Sequence, residues 1–201
     1  MTSSRDSWTV TTHDWARDVD RDHLRRVRAQ ADVELPGGLQ HLVLEVLAYA
    51  SDEAEHLGRV GRATVQRHSD GSVAVTDDGR GTDTRRDEHG QVVRKPVMAT
   101  QDVRFTGDTE PVLLADGHPR RGMSSVSALC LWLRHTNHRT EGAWTQNYAH
   151  GIPEQDLTEL PPSAQTGTTV HFLLDPDLEA DARLDPRVLA ASPWLEVTLV
   201  S

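Results

Sequence analysis

The chain has 201 residues, 36% of them hydrophobic and 26% charged, a length and composition that fit one large globular domain better than two. No apolar run approaches the roughly 20 residues that span a bilayer, and the segment from Met1 to Ser7 lacks the apolar stretch of a signal peptide, so a cytoplasmic protein without membrane contact is expected. The formal charge of -10 opposes direct nucleic-acid binding despite basic pairs at Arg25-Arg26, Arg85-Arg86 and Arg120-Arg121, and the single cysteine, Cys130, excludes an internal disulfide and reads as a buried, inert thiol.

Residues 1–20 are polar, with Trp8 and Trp15 as isolated apolar anchors, and read as an arm outside the core; 21–201 read as the folded domain. A short helix is predicted over 21–30, ending before Leu35-Pro36-Gly37-Gly38, where proline and paired glycines break regular structure. Over 39–57, Leu39, Leu42, Val43, Val46, Leu47 and Ala50 recur at helical spacing, with Gly58 as the stop. Glu45, Asp52 and Glu53 lie at i, i+7 and i+8, along one face of that helix; a solvated acidic stripe is the plain alternative to a site.

Residues 62–67 and 72–76 read as strands around the turn Ser69-Asp70-Gly71, with Asp77 at the end of the second. Periodicity disappears over 79–121, far longer than an ordinary connection, which reads as a lid-like loop with local anchors at 97–100 and 111–114. A helix over 123–130, strands over 131–136, 143–149 and 168–174, a helix over 184–191 and a strand over 195–200 complete the chain. Strands with interspersed helices predict an α/β fold, a two-layer sandwich of a mixed β-sheet and helices. His135 and His138 lack the partners of a zinc site and read as surface histidines, while Trp132, Trp144 and Trp194 read as core packing.

Four segments occur together in order. They are Gly38-Leu39-Gln40-His41-Leu42-Val43-Leu44-Glu45-Val46 followed by Asp52-Glu53-Ala54, then Asp77-Asp78-Gly79-Arg80-Gly81, Tyr148-Ala149-His150-Gly151-Ile152-Pro153, and Gln165-Thr166-Gly167-Thr168. On these motifs and their spacing the chain resembles the GHKL ATPases of Bergerat fold, and among them the ATPase domain of the DNA gyrase B proteins.

The resemblance implies an adenine nucleotide, ATP, as ligand. It implies that Asp77 accepts a hydrogen bond from the adenine amino group, joined by Thr168 through a water, because an ionised carboxylate only accepts. Val46, Val75 and Val170 are implied as apolar walls, with ordinary core as the alternative. Arg80, held by Glu53, is expected over the outer face of the base, Gly81 lets the backbone approach, and Asp52 belongs to the same site. Glu45 is implied as the general base for the water that attacks the γ-phosphate.

The chain departs from the pattern in two places. Tyr49 occupies the position where the family has the asparagine that holds Mg2+, and a bulky phenol suits near-octahedral magnesium poorly, so metal use is in question. The phosphate loop, Gly117-His118-Pro119-Arg120-Arg121-Gly122-Met123, keeps glycines at Gly117 and Gly122 but not between them; Arg120 and Arg121 offer charge instead, or form a solvated basic loop. The family's transducer lysine has no counterpart in these residues. The expectation is therefore weak or partner-dependent ATP hydrolysis without topoisomerase activity of its own, through a protein partner or homodimer. A catalytically silent nucleotide-binding module that regulates a partner through the lid loop is the alternative.

Overall fold

The computed structural model describes residues 19–82, 85–86, 90, 92–93, 96–105, 110–140, 142–154, 157–178 and 180–200; residues 1–18 of the predicted arm, with Trp8 and Trp15, lie outside them, while Val19 packs against the core. Helix α1 (Arg21–Ala29) begins at Asp20, whose carboxylate accepts from the His23 N–H at 3.0 Å, and buries Leu24 and Val27. A short α2 (Ala31–Glu34), absent from the sequence prediction, fills the approach to the Pro36-Gly37 break. In α3 (Gly38–His56) the predicted apolar face, Leu39 through Leu47, is buried.

The hairpin of β1 (Gly61–Arg67) and β2 (Val73–Asp77) is fixed by Asp70, which accepts from the Ser72 N–H and hydroxyl at 2.9 and 2.7 Å. Inside the aperiodic stretch lie a two-stranded hairpin, β3 (Arg85–Arg86) with β4 (Val92–Val93), and single 3-10 turns at Pro96–Met98 and Val103–Phe105. Met98 and Ala99 are buried, and Asp20 N donates to Ala99 O at 2.8 Å, so this part of the loop is pinned to the start of α1. There follow α4 (Met123–Leu129), β5 (Cys130–Arg139), β6 (Gly142–Ala149), β7 (Ile152–Pro153), β8 (Thr158–Leu160), β9 (Gly167–Leu174), α5 (Pro186–Leu189) and β10 (Leu195–Val200).

Eight strands form one mixed sheet in the order β10-β1-β2-β9-β5-β6-β7, with β8 also on β6; β1 and β10 are parallel and the other pairs antiparallel. Alternate residues, among them Ala63, Val65, Val73, Val75, Val170, Phe172, Leu133 and Tyr148, face α3 and α4, which pack on the sheet to bury the core. The fold is thus the predicted α/β sandwich.

Three local predictions need correction. Strand β5 runs to Arg139, beyond the predicted 136, because it is paired on both sides by β6 and β9, and ladder bonds on both edges hold Asn137 and His138 in the strand despite their polarity. Helix α5 is only four residues long, capped by the Asp185 carboxylate. His135 is not a surface residue: it is buried edge-on against Trp144, with ring centroids 4.9 Å apart. Cys130 is fully buried at the start of β5, and burial pushes its thiol pKa well up. Among the described residues no helix is long and apolar enough to cross a membrane.

Candidate functional site

Between α3, the end of β2, β5 and β9 lies a cavity of about 220 Å3. Val46, Ala50, Val97, Met98, Met123 and Val170 supply its apolar walls, with polar groups from Asp77, Thr168, His135 and Arg139. This volume is smaller than the roughly 300–1,000 Å3 of drug-sized pockets and suits a nucleobase better than a whole nucleotide.

Asp77, at the end of β2, presents its carboxylate to this cavity. The Thr168 hydroxyl donates to Oδ2 and the Gly79 N–H donates to Oδ1 at 2.8 Å, and burial raises the carboxyl pKa against those hydrogen bonds. Neighbouring Gly167 has φ +139, and a Cβ there would sit 2.0 Å from Asp77 O, so the Thr-Gly-Thr sequence is the means by which β9 passes against the end of β2. Arg80 makes a bidentate pair with Glu53, Nε to Oε1 at 2.5 Å and Nη2 to Oε2 at 3.1 Å, and both line the cavity mouth with Gly81. Val75 is buried core paired with Val170 and does not line the cavity.

Beside the cavity, Glu45, Tyr49 and Asp52 of α3 are bonded to residues of the loop. Glu45 is fully buried one helical turn from Tyr49, and its two oxygens accept the backbone N–H groups of Arg121 and of Gly122, the latter at 3.0 Å. Burial raises its pKa, opposed by those two bonds. His41, on the same helix face, stands with Nε2 at 3.6 Å from Glu45 Oε1, while its Nδ1 lies 2.8 Å from Asp116 Oδ2. Since a carboxylate only accepts, Asp116 fixes the proton on Nδ1 and turns Nε2 toward Glu45. The i, i+4 spacing of His41 and Glu45 is a legible signal for this pair; Asp116, from the loop, has none.

Tyr49 donates its hydroxyl to Asp102 Oδ2 at 2.7 Å, and burial with that carboxylate pushes the phenol pKa far up, so the group is a neutral donor. Arg104 holds Asp102 through Nε and Nη2 and reaches Asp52 at 3.2 Å. Arg120, itself buried, makes a bidentate pair with Asp52 at 3.1 and 2.9 Å and lies 4.7 and 4.8 Å from the ring centroids of Tyr49 and Phe105. Arg121 is 3.7 Å from Glu34, and Gly117 turns the loop at φ +81, its N–H bonded to Leu114 O. Asp52, Arg120, Arg121, Gly117 and Gly122 thus lie outside the base-sized cavity. Magnesium does not fit this arrangement: the Tyr49 oxygen donates a proton and both Glu45 oxygens are engaged by N–H groups.

The sheet order, the helices on one face and the cavity beside β2 and β9 define an α/β protein of the GHKL ATPase fold. No family model matches the chain. Among curated proteins it is similar to the DNA gyrase B protein of Mycolicibacterium smegmatis, 36% identical over 141 residues, which are 70% of this chain and 21% of that protein. It is similar also to the DNA gyrase B protein of Haloferax volcanii, 33% identical over 159 residues (76% and 24%), and to the DNA topoisomerase 4 B protein of Staphylococcus epidermidis, 32% over 143 residues (70% and 21%). Over 70–76% of its length the chain is thus homologous to the gyrase B and topoisomerase IV B proteins, consistent with a divergent gyrase B-like ATPase domain, and it spans between a fifth and a quarter of the length of these relatives.

Proposed function

We propose that the cavity beside Asp77 binds the adenine of ATP, and that Glu45 supports weak or partner-dependent hydrolysis. The observation that carries this reading is Asp77 itself, a buried acceptor held by Thr168 and Gly79 at the edge of an apolar, base-sized cavity. Adenine offers an exocyclic amine to such an acceptor and an apolar face to Val46, Met98 and Val170. The Arg80 guanidinium, oriented by Glu53, lies at the mouth, where it can stack on the outer face of the base.

Hydrolysis would require Glu45 to accept a proton from an attacking water within hydrogen-bond reach. His41, oriented by Asp116, packs beside that carboxylate, with Nε2 3.6 Å from Oε1 and no hydrogen bond between them. With the N–H groups of Arg121 and Gly122 on Glu45 and Tyr49 in the metal position, the charge-stabilising interactions that dominate phosphoryl transfer are reduced, which supports slow turnover. The same engagement of Glu45 favours a second reading, a silent nucleotide-binding module that acts on a protein partner or a second copy through the 79–121 loop. Neither reading gives these residues topoisomerase activity alone.

Phosphate release from ATP by the purified protein, compared with Glu45→Ala and Asp77→Asn, separates the two. Activity lost in both variants supports hydrolysis in this site. Activity that persists in Glu45→Ala refutes Glu45 as base, and binding of ATP without any release in the wild type supports the silent module.

A further inference from the structure

In the half of the site that a triphosphate would enter, the hydrogen-bond donors already serve the protein's own carboxylates. The Arg121 and Gly122 N–H groups are on Glu45, Arg120 is on Asp52, Arg104 is on Asp102 and Asp52, the Tyr49 hydroxyl is on Asp102, and Arg121 faces Glu34. The Arg120 Nε that remains is buried between the Tyr49 and Phe105 rings. Glu34, Glu45, Asp52, Asp102 and Asp116 bring five carboxylates to this half against the guanidiniums of Arg104, Arg120 and Arg121. A polyanion entering here must displace bound carboxylates and approach a region whose fixed charge is negative. The base cavity, in contrast, is open at its mouth and lined by apolar groups together with polar ones, the Arg80 and Arg139 guanidiniums among them.

We infer that this protein is selective for adenine ligands without a phosphate chain: the clasp formed by Asp52, Tyr49, Asp102, Arg104 and Arg120 occupies the phosphate subsite, and the pocket takes adenosine in preference to ATP. The inference rests on the base-pocket reading above and gives a physical reason for weak ATP turnover. Discrimination comes from negative charge and prior occupancy, since specificity is a difference of affinities and repulsion against the disfavoured ligand contributes to it as fully as attraction. Asp52 is the place to open the clasp. Its side chain is 42% exposed, so its removal leaves the core intact while releasing both Nη atoms of Arg120.

The test is calorimetric titration of the full chain with adenosine and with a non-hydrolysable ATP analogue, each with and without magnesium, for the wild type, Asp52→Ala and Arg104→Ala. The expected result is that wild type binds adenosine at least tenfold more tightly than the analogue. Asp52→Ala should keep adenosine affinity within about twofold and gain at least tenfold for the analogue, and Arg104→Ala should narrow the gap in the same direction. A wild type that binds the analogue as tightly as adenosine overturns the clasp while leaving the base pocket standing. A preference for adenosine that survives undiminished in both variants overturns the assignment of selectivity to these residues. Failure of either ligand to bind any of the three proteins overturns the base pocket itself, and the inference falls with it.

Discussion

Replacing Gly167 by alanine tests whether the end of β9 is held against Asp77 as described. The backbone at Gly167 has φ +139, and the added Cβ would lie 2.0 Å from Asp77 O and 3.0 Å from its carbonyl carbon. Those are backbone atoms in a paired sheet, so the strands must separate by about 1 Å to restore ordinary contact. Gly58 is the control: it has φ +64 with no atom within 4 Å of a built Cβ, so Gly58→Ala measures left-handed strain alone, about 1 kcal/mol. Gly167→Ala adds the collision to a comparable strain and should cost about 3–5 kcal/mol, which lowers the melting temperature by roughly 10 °C in a chain of this size. Urea unfolding followed by circular dichroism, with an unchanged m-value, gives both numbers. Because the shift carries Thr168 away from Asp77, adenosine binding should disappear in Gly167→Ala and persist in Gly58→Ala. Equal stabilities for the two variants, to within about 0.5 kcal/mol, would mean that Gly167 does not pass against Asp77 as closely as described.

The clasp has a pH signature. Burial alone would raise the Asp102 pKa, but hydrogen bonds from Arg104 and Tyr49 hold it below the usual carboxylate range. A depressed folded-state pKa gives stability that is complete above the unfolded value near 3.9 and is lost as pH falls through the folded value. Asp102→Asn should therefore cost about 2–3 kcal/mol near neutral pH, with the deficit shrinking below about pH 4 in denaturation curves. Both oxygens of Asp116 accept, one from His41 and one from the His118 N–H, so Asp116→Asn must set an amide donor against one of these groups; it should reduce any ATP hydrolysis about tenfold or more and change its pH profile, without changing adenosine affinity. Arg80→Ala should weaken adenosine binding about two- to fivefold by titration, the loss of one exposed guanidinium stacked on a base.

The parts of this site that share an element or a motif are legible in the sequence. Helical periodicity locates α3 and puts Glu45, Asp52 and Glu53 on it, and the Asp-Asp-Gly-Arg-Gly and Thr-Gly-Thr segments mark the two strand ends that meet at the cavity. What stays hidden lies in long-range contacts made by the aperiodic loop. Val97 and Met98 read as local anchors yet wall the cavity, and Asp102, Arg104 and Phe105 carry no pattern yet pack around Tyr49 and Arg120. Arg120 and Arg121 read as phosphate donors on charge alone, whereas the fold gives each a carboxylate from elsewhere in the chain, Asp52 and Glu34. His135 misleads for a related reason: strand pairing on both edges of β5 and the Trp144 ring bury it, and neither is visible in its neighbours. Val75 shows the limit of face assignment, since it is on the correct strand but packs into the core beneath the cavity.

In the proposed site Asp77 reads the base as a hydrogen-bond acceptor. Titration of wild type and Asp77→Asn with adenosine and with inosine tests it most directly, because inosine replaces the exocyclic amine by a carbonyl and turns N1 from an acceptor into an N–H donor, inverting the edge that meets Asp77 while keeping the size and shape of the base. Wild type should prefer adenosine by about 2 kcal/mol, roughly thirtyfold, since inosine would set a carbonyl against a buried carboxylate. Asp77→Asn, whose amide can turn a donor to the carbonyl, should lose or reverse that preference. Equal affinity of the wild type for both nucleosides, or an undiminished preference for adenosine in Asp77→Asn, would contradict the account.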